Sequence, residues 1–281
     1  MTCTNPVRIR AKAKPFSFNA YGDVLTVPCG KCVSCRIRRT AEWTKRILDE
    51  AEGKPSCFIT LTYDDIHLPK DLSLNAKHLQ NFWKRMRKKH ANLKIKYYAC
   101  GEYGDSQQRP HYHAIVIGWK PELNNLLFIS KNIVTCKELT ELWPMGFSTV
   151  GNLTKESAQY VTGYIRKKLY GKENNYGNRK PPFACSSLGI GLSYAQKNWK
   201  RIMKGETVNG QNLGIPRYYL KKIASKKDKE DLMDKALDAT QEMINKFDSF
   251  ELYEKALWLD RERRHAENLS KEQLFNERKK I

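Results

Sequence analysis

The stretch that most restricts how this chain can fold is Pro110 to Gly118, "PHYHAIVIG". A proline opens it, β-branched residues fill it and Gly118 closes it, the signature of a short β-strand. Just upstream, "IKYYACGEYG" reads as a second strand, and the connection "DSQQRP" is of hairpin length. Strands joined so tightly must run antiparallel, because parallel neighbours need a crossover of roughly a dozen residues or more. "CFITLTYDD" and "GFSTVGNL" add further strands, and helical patterns interleave with them. The expected fold class is therefore α+β, a central antiparallel β-sheet with flanking helices.

The helical segments can be placed from periodicity and caps. One runs from about Arg36 to Glu52. "SLNAKHLQNFWKRMRKKH" is another, with Ser73 as its expected N-cap, and "CKELTELW" is a third. "TKESAQYVTGYIRKKLYG" has Thr154 and Ser157 as caps and Gly171 just past its end. "CSSLGIGLSYAQKNW" begins as a glycine turn and continues as a helix. From Ser225 the chain reads as solvated helix, with Leu232, Leu237, Met243, Ile244, Phe247 and Phe250 forming a partial apolar stripe.

Charge divides the chain at the same place. The net charge is +21 over 281 residues, but Ser225 to Ile281 holds 13 basic and 14 acidic residues, leaving 38 against 16 before it. We therefore expect a basic domain over residues 1–224 and a charged, mainly helical extension over 225–281. So strong a positive field selects a polyanionic partner, nucleic acid above all. No apolar run is long enough to span a bilayer, and "MTCTNPVRIRAKAKPF" lacks the apolar core of a secretory signal. The expected compartment is the cytoplasm, with no membrane partner.

Three groups of residues carry chemistry. His111 and His113 alternate on their strand, so they share one face while Tyr112 takes the other. Two such imidazoles can reach one divalent metal, or can simply decorate a strand end. Tyr160 and Tyr164 lie four apart on one helical face, with Lys167 on the same side. Phenol, with a pKa near 10, attacks phosphate only when a metal and nearby cations assist it; otherwise such a pair packs into a core. Cys29, Cys32 and Cys35 follow C-x2-C-x2-C, and Cys3 could complete a four-thiolate structural zinc site. Buried free thiols are the alternative.

Together these motifs resemble a known family. "HYH" is similar to the His-hydrophobic-His motif of the HUH endonucleases, and "YVTGYIRKK" resembles the Tyr-x-x-x-Tyr helix of their two-tyrosine subgroup. "FITLTYDD" resembles the strand upstream of the His pair, and all three occur in family order. "VPCGKCVSCRIRRTAEW" and "GEYG…RPHYH" are similar to the rolling-circle replication initiators of microviruses, of gokushovirus type. The resemblance covers roughly residues 1–220.

It implies that His111 and His113, with a third polar ligand, hold one Mg²⁺ or Mn²⁺. Glu102 is the expected third ligand and Asp105 the second choice. It implies that one tyrosine nicks single-stranded DNA at the phage replication origin, leaving a 5′-phosphotyrosine and a 3′-OH that primes rolling-circle replication. The second tyrosine cuts the regenerated origin, and the ends of the product are rejoined. Lys167 would orient the phosphate. Gly163, between the tyrosines, departs from good helix formers. The host bacterial cytoplasm is the implied setting. The chain has no Walker-type motif, so a host helicase and polymerase would do the unwinding and synthesis.

Two other readings use the same residues. A relaxase or single-strand transposase would share the motifs, and a non-catalytic zinc-knuckle nucleic-acid-binding protein would share the charge and cysteines. The histidine-triad hydrolases do not fit, because position 115 is Ile.

Overall fold

The computed structural model describes residues 3–10, 24–104, 107–130, 133–168, 176–205 and 214–277; for residues 10, 24–26, 130, 133, 164–168 and 271–277 it describes the backbone only. The chain divides into two units, Met1–Arg39 with Ala224–Ile281, and Thr40–Ile223.

In the first unit, β1 (Val7–Arg10) pairs antiparallel with β2 (Val24–Val27). Helix α1 (Val33–Ala51) starts here, three residues earlier than periodicity suggests, and its later turns belong to the second unit. The helices after Ser225 are the last two, α8 (Lys226–Ile244) and α9 (Phe250–Glu277). Ser225 caps α8 in a reciprocal box with Asp228. No residue of α8 is buried, and Met243 and Phe250 of the expected stripe stay exposed.

The second unit is built on a five-stranded sheet of β3 (Ser56–Tyr63), β4 (Lys96–Tyr103), β5 (Pro110–Ile117), β8 (Gly146–Asn152) and β9 (Phe183–Ser186). Its order is β8-β3-β5-β4-β9 and every pairing is antiparallel. The α+β reading thus holds, with the β4–β5 hairpin at its centre. Strand β5 ends where Gly118 takes φ +90°, a conformation other residues rarely adopt. A small hairpin, β6 (Leu126–Ser130) and β7 (Ile133–Cys136), lies outside this sheet, and the sequence reading did not foresee it or β9.

Alternation along the strands sorts the core into two layers. Ile59, Leu61, Tyr63, Ala99, Tyr112, Ala114 and Val116 pack against α2 (Ala76–Lys89) and α3 (Lys137–Leu142) with Trp143. Tyr98, Cys100, Ile115 and Ile117 pack against Ile47 of α1 and Ala158 and Val161 of α4 (Lys155–Lys168). A small cluster of Ala195, Ile202 and Tyr219 joins α5 (Leu192–Lys197), α6 (Trp199–Met203) and α7 (Arg217–Lys222).

Helix α2 corrects one expectation. Its N-cap is Asn75, whose side chain accepts from the Lys77 amide at 3.0 Å; Ser73 instead accepts from the Lys180 amide at 2.9 Å. Both residue types cap well, and the long-range contact decides between them. No described helix is long and apolar enough to cross a membrane.

Candidate metal and nucleophile site

The hairpin register places Glu102 of β4 directly opposite His111 of β5, with His113 two residues further along on the same face. Glu102 Oε1 lies 3.0 Å from His111 Nε2 and 3.0 Å from His113 Nε2. The three ligand atoms fall within 4.8 Å of one another, and Glu102 and His113 are buried.

The outer nitrogen of each ring is also held. His111 Nδ1 lies 3.1 Å from the Arg109 carbonyl, and His113 Nδ1 lies 2.9 Å from Thr60 Oγ1. A carbonyl only accepts, so His111 Nδ1 carries the proton and donates it. Neutral His111 then turns its Nε2 lone pair onto a carboxylate oxygen. Only a proton or a cation between them makes that contact attractive. Burial pushes the Glu102 carboxyl up, but its bonds to His111 and His113 and their charge outweigh this and hold it below the ordinary range. Two oriented imidazoles and one ionised carboxylate fit a divalent first-row ion or Mg²⁺, and the outer bonds are the kind that fix metal-binding histidines.

Helix α4 supplies the nucleophile candidate. Thr154 and Ser157 cap its start reciprocally, as expected, with Ser157 N to Thr154 Oγ1 at 3.2 Å and Thr154 N to Ser157 Oγ at 2.8 Å. Ala158, Val161 and Thr162 face inward, and Thr162 Oγ1 meets Thr44 Oγ1 of α1 at 3.1 Å. That docking leaves Tyr160 over the metal candidates. Its ring centroid is 5.1 Å from that of His113 and 6.2 Å from that of Phe58, and 47% of the residue remains exposed. It is thus fixed at one edge and open to a substrate.

Tyr164 and Lys167 lie on the same helix, but their side chains fall outside the described residues, as do Asp105 and Gly171. A Cβ at Gly163 would meet nothing within 4 Å, so core packing does not demand glycine there. Cys3, Cys29, Cys32 and Cys35 come together in the other unit, with all four sulfurs within 4.8 Å.

Three side chains of this site were not singled out from sequence. Thr60 orients His113, and Phe58 stacks on it at 5.6 Å with 15° between planes. Phe147 of edge strand β8 stands opposite Thr62, which stands opposite His111, so all three share the site's face. Phe147 is 65% exposed, about 10 Å from His111 by strand spacing. Alternation in "FITLT" puts Phe58, Thr60 and Thr62 on one face, but only pairing shows that this face meets the histidines.

Similarity to other proteins agrees with this layout. A family model for replication-associated proteins of the ORF2 type matches residues 56–169, the span from β3 through α4. Replication-associated protein ORF2 of Spiroplasma virus 4 is 33% identical over 251 residues, covering 79% of this chain and 78% of its own length. Replication-associated protein VP4 of Bdellovibrio phage phiMH2K is 28% identical, over 78% and 76%. Replication-associated protein ORF4 of Chlamydia phage 1 is 30% identical, over 76% and 56%. No solved structure matches. With a third of its residues shared across most of both chains, this protein belongs to the family of microvirus replication-associated proteins.

Proposed function

We propose that this protein initiates rolling-circle replication as an HUH-type endonuclease and strand-joining enzyme, acting on single-stranded DNA at the phage origin. The observation that carries the reading is the meeting of Tyr160 with the Glu102, His111 and His113 group on one sheet face.

In this reading the Tyr160 phenol oxygen attacks the scissile phosphorus and the bond to the 3′ oxygen breaks. The phenolic proton ends on that oxygen. The 5′ end stays on tyrosine as a phosphodiester, and the free 3′-OH serves as primer. Tyr164, one turn along, repeats the step on the regenerated origin, and attack by the released 3′-OH on the first phosphotyrosine rejoins the product. Glu102, His111 and His113 would hold Mg²⁺ or Mn²⁺, which when bound supplies Lewis-acid polarisation of the scissile phosphate. Thr60 and the Arg109 carbonyl keep the imidazoles oriented, and Lys167 neutralises the backbone. Phe147 offers its exposed ring to a neighbouring base, in the way single-strand binders use aromatic platforms. Residues 1–224 form the nicking domain and 225–281 an extension, in the host bacterial cytoplasm, with unwinding and synthesis left to a host helicase and polymerase.

The test is a denaturing gel after incubation with Mn²⁺ and origin-bearing single-stranded DNA. A metal-dependent covalent adduct is expected. In Tyr160→Phe with Tyr164→Phe it should fall by more than about 10⁴-fold, as when a covalent nucleophile is removed. Tight, salt-sensitive binding without any adduct would instead make this a non-catalytic DNA-binding protein.

A further inference from the structure

The cysteine group plays no part in that chemistry. Cys3, Cys29, Cys32 and Cys35 lie in the unit formed by the first 39 residues and the final helices. Among the described residues of that unit, the buried ones are Cys3, Ser34 and Cys35. All three apolar core clusters lie in the other unit. A unit with no aliphatic core needs another source of cohesion, and a metal is one of the few available.

The sulfur geometry supplies one. Cys3 Sγ is 3.6 Å from Cys29 Sγ and 3.7 Å from Cys32 Sγ. Four thiolates at about 2.3 Å from a central zinc stand about 3.8 Å apart along the edges of the tetrahedron. Disulfide sulfurs would stand about 2.05 Å apart. A four-iron cluster would spread its thiolates further, since each binds a different iron.

The backbone is arranged for charged sulfur. Cys29 Sγ accepts from the amides of Lys31 at 3.3 Å and Cys32 at 3.2 Å, and Cys3 Sγ accepts from the Cys29 amide at 3.3 Å. Gly30, at φ +72°, makes the tight turn that aims those amides. Such N–H···S bonds stabilise thiolates and orient metal ligands. Lys31, Arg36, Arg38 and Arg39 follow in sequence and offset the negative charge that four thiolates leave on a divalent ion.

We propose that Cys3, Cys29, Cys32 and Cys35 bind one Zn²⁺ as a closed, four-coordinate structural site, which ties the start of the chain to the first turn of α1. The site is independent of the nicking reading and stands or falls separately.

The full-length protein, purified reduced and without chelator, should carry one zinc per chain by elemental analysis. That zinc should be released by a thiol-specific mercurial. Replacement with Co²⁺ should give the intense visible and sulfur charge-transfer bands of a tetrahedral four-thiolate ion. His111→Ala with His113→Ala should keep this zinc, and Cys100→Ser and Cys185→Ser should keep it too. Cys29→Ser with Cys32→Ser should lose it. If that variant does not fold, the cobalt spectrum of the unaltered chain decides. Four freely titrating thiols in folded protein that takes up no zinc on reconstitution would overturn the proposal. So would iron in place of zinc, a cobalt spectrum without thiolate bands, or zinc that leaves with the histidines and stays without the cysteines.

Discussion

The two faces of the central sheet use the same strands for opposite ends. Against α2 and α3 the face is closed from end to end by Trp83, Phe82, Trp143, Leu79 and Leu139 meeting Ile59, Leu61, Tyr112 and Val116. Against α1 and α4 it is apolar only at one end, where Tyr98, Ile115 and Ile117 meet Ile47 and Val161. At the other end Glu102, His111, His113 and Thr62 replace the aliphatics, and Phe147 stands in solvent. One face holds the fold with dispersion and burial. The other gives up part of that to keep polar groups ionised and reachable. Changes on the first face should therefore cost stability, and changes at the polar end of the second should cost function.

The largest effect expected on this comparison is at Trp143. It is fully buried among Tyr63, Phe82 and Tyr112, and its Nε1 donates to the Thr62 carbonyl at 2.9 Å. Trp143→Ala should lose about 3–5 kcal/mol, and Tm should drop by roughly 10 °C in a melt followed by circular dichroism. A melt as stable as the unaltered chain would break the division between the faces.

Thr60→Val sharpens the comparison from the other side. It keeps shape but removes the hydroxyl that holds His113 Nδ1. Metal affinity should weaken by about 10–100-fold, read as the Mn²⁺ concentration needed for half-maximal adduct formation. The accompanying stability loss should be only about 1 kcal/mol. If metal affinity is unmoved, the outer bond does not organise the site.

Phe147→Ala should leave Tm in place and weaken single-stranded DNA binding by about 1–3 kcal/mol, the usual share of one stacked base. Fluorescence anisotropy with a labelled oligonucleotide at fixed salt measures it, and Phe147→Trp should restore the affinity. Unchanged binding in the alanine variant would remove Phe147 from the substrate path.

The smallest effect concerns acid. Glu50 of α1 sits at the apolar end, bonded to Lys54, to Lys96 at 2.8 Å and to the Gly191 amide at 2.8 Å. Burial pushes its carboxyl up, yet those partners hold it below the ordinary value of 4.5. A depressed folded pKa means that its stabilisation is present above that ordinary value and is lost as pH falls through the folded one. Asp49 beside it acts oppositely, because burial raises its carboxyl despite Lys45 and the Tyr219 hydroxyl. In Glu50→Gln the fall of Tm below about pH 4.5 should be shallower than in the unaltered chain. Parallel curves would show that this ion pair does not set the acid limb.

Much of this was legible before any coordinates. Period-two alternation is a local property, so "PHYHAIVIG" yielded the strand, its hairpin partner and the shared face of His111 and His113 without knowledge of neighbours. The caps Thr154 and Ser157 were readable for the same reason, since a cap is settled within four residues. Ser73 and Asn75 could not be separated, because the contact that occupies Ser73 comes from Lys180, far along the chain. Strand β9 and the β6–β7 hairpin are too short to print a period of their own. Thr60 and Phe147 were invisible as site residues because their roles depend on which strands lie beside β5. Local sequence was enough to say which residues could carry chemistry and which face of its own element each takes, because backbone geometry fixes those over a few residues. Which faces meet was settled only by folding: that β3 and β8 extend the histidine row, that α4 lays Tyr160 over His113, and that Cys3 reaches Cys29. Those pairings rest on burial and long-range hydrogen bonds, which no short stretch of sequence contains.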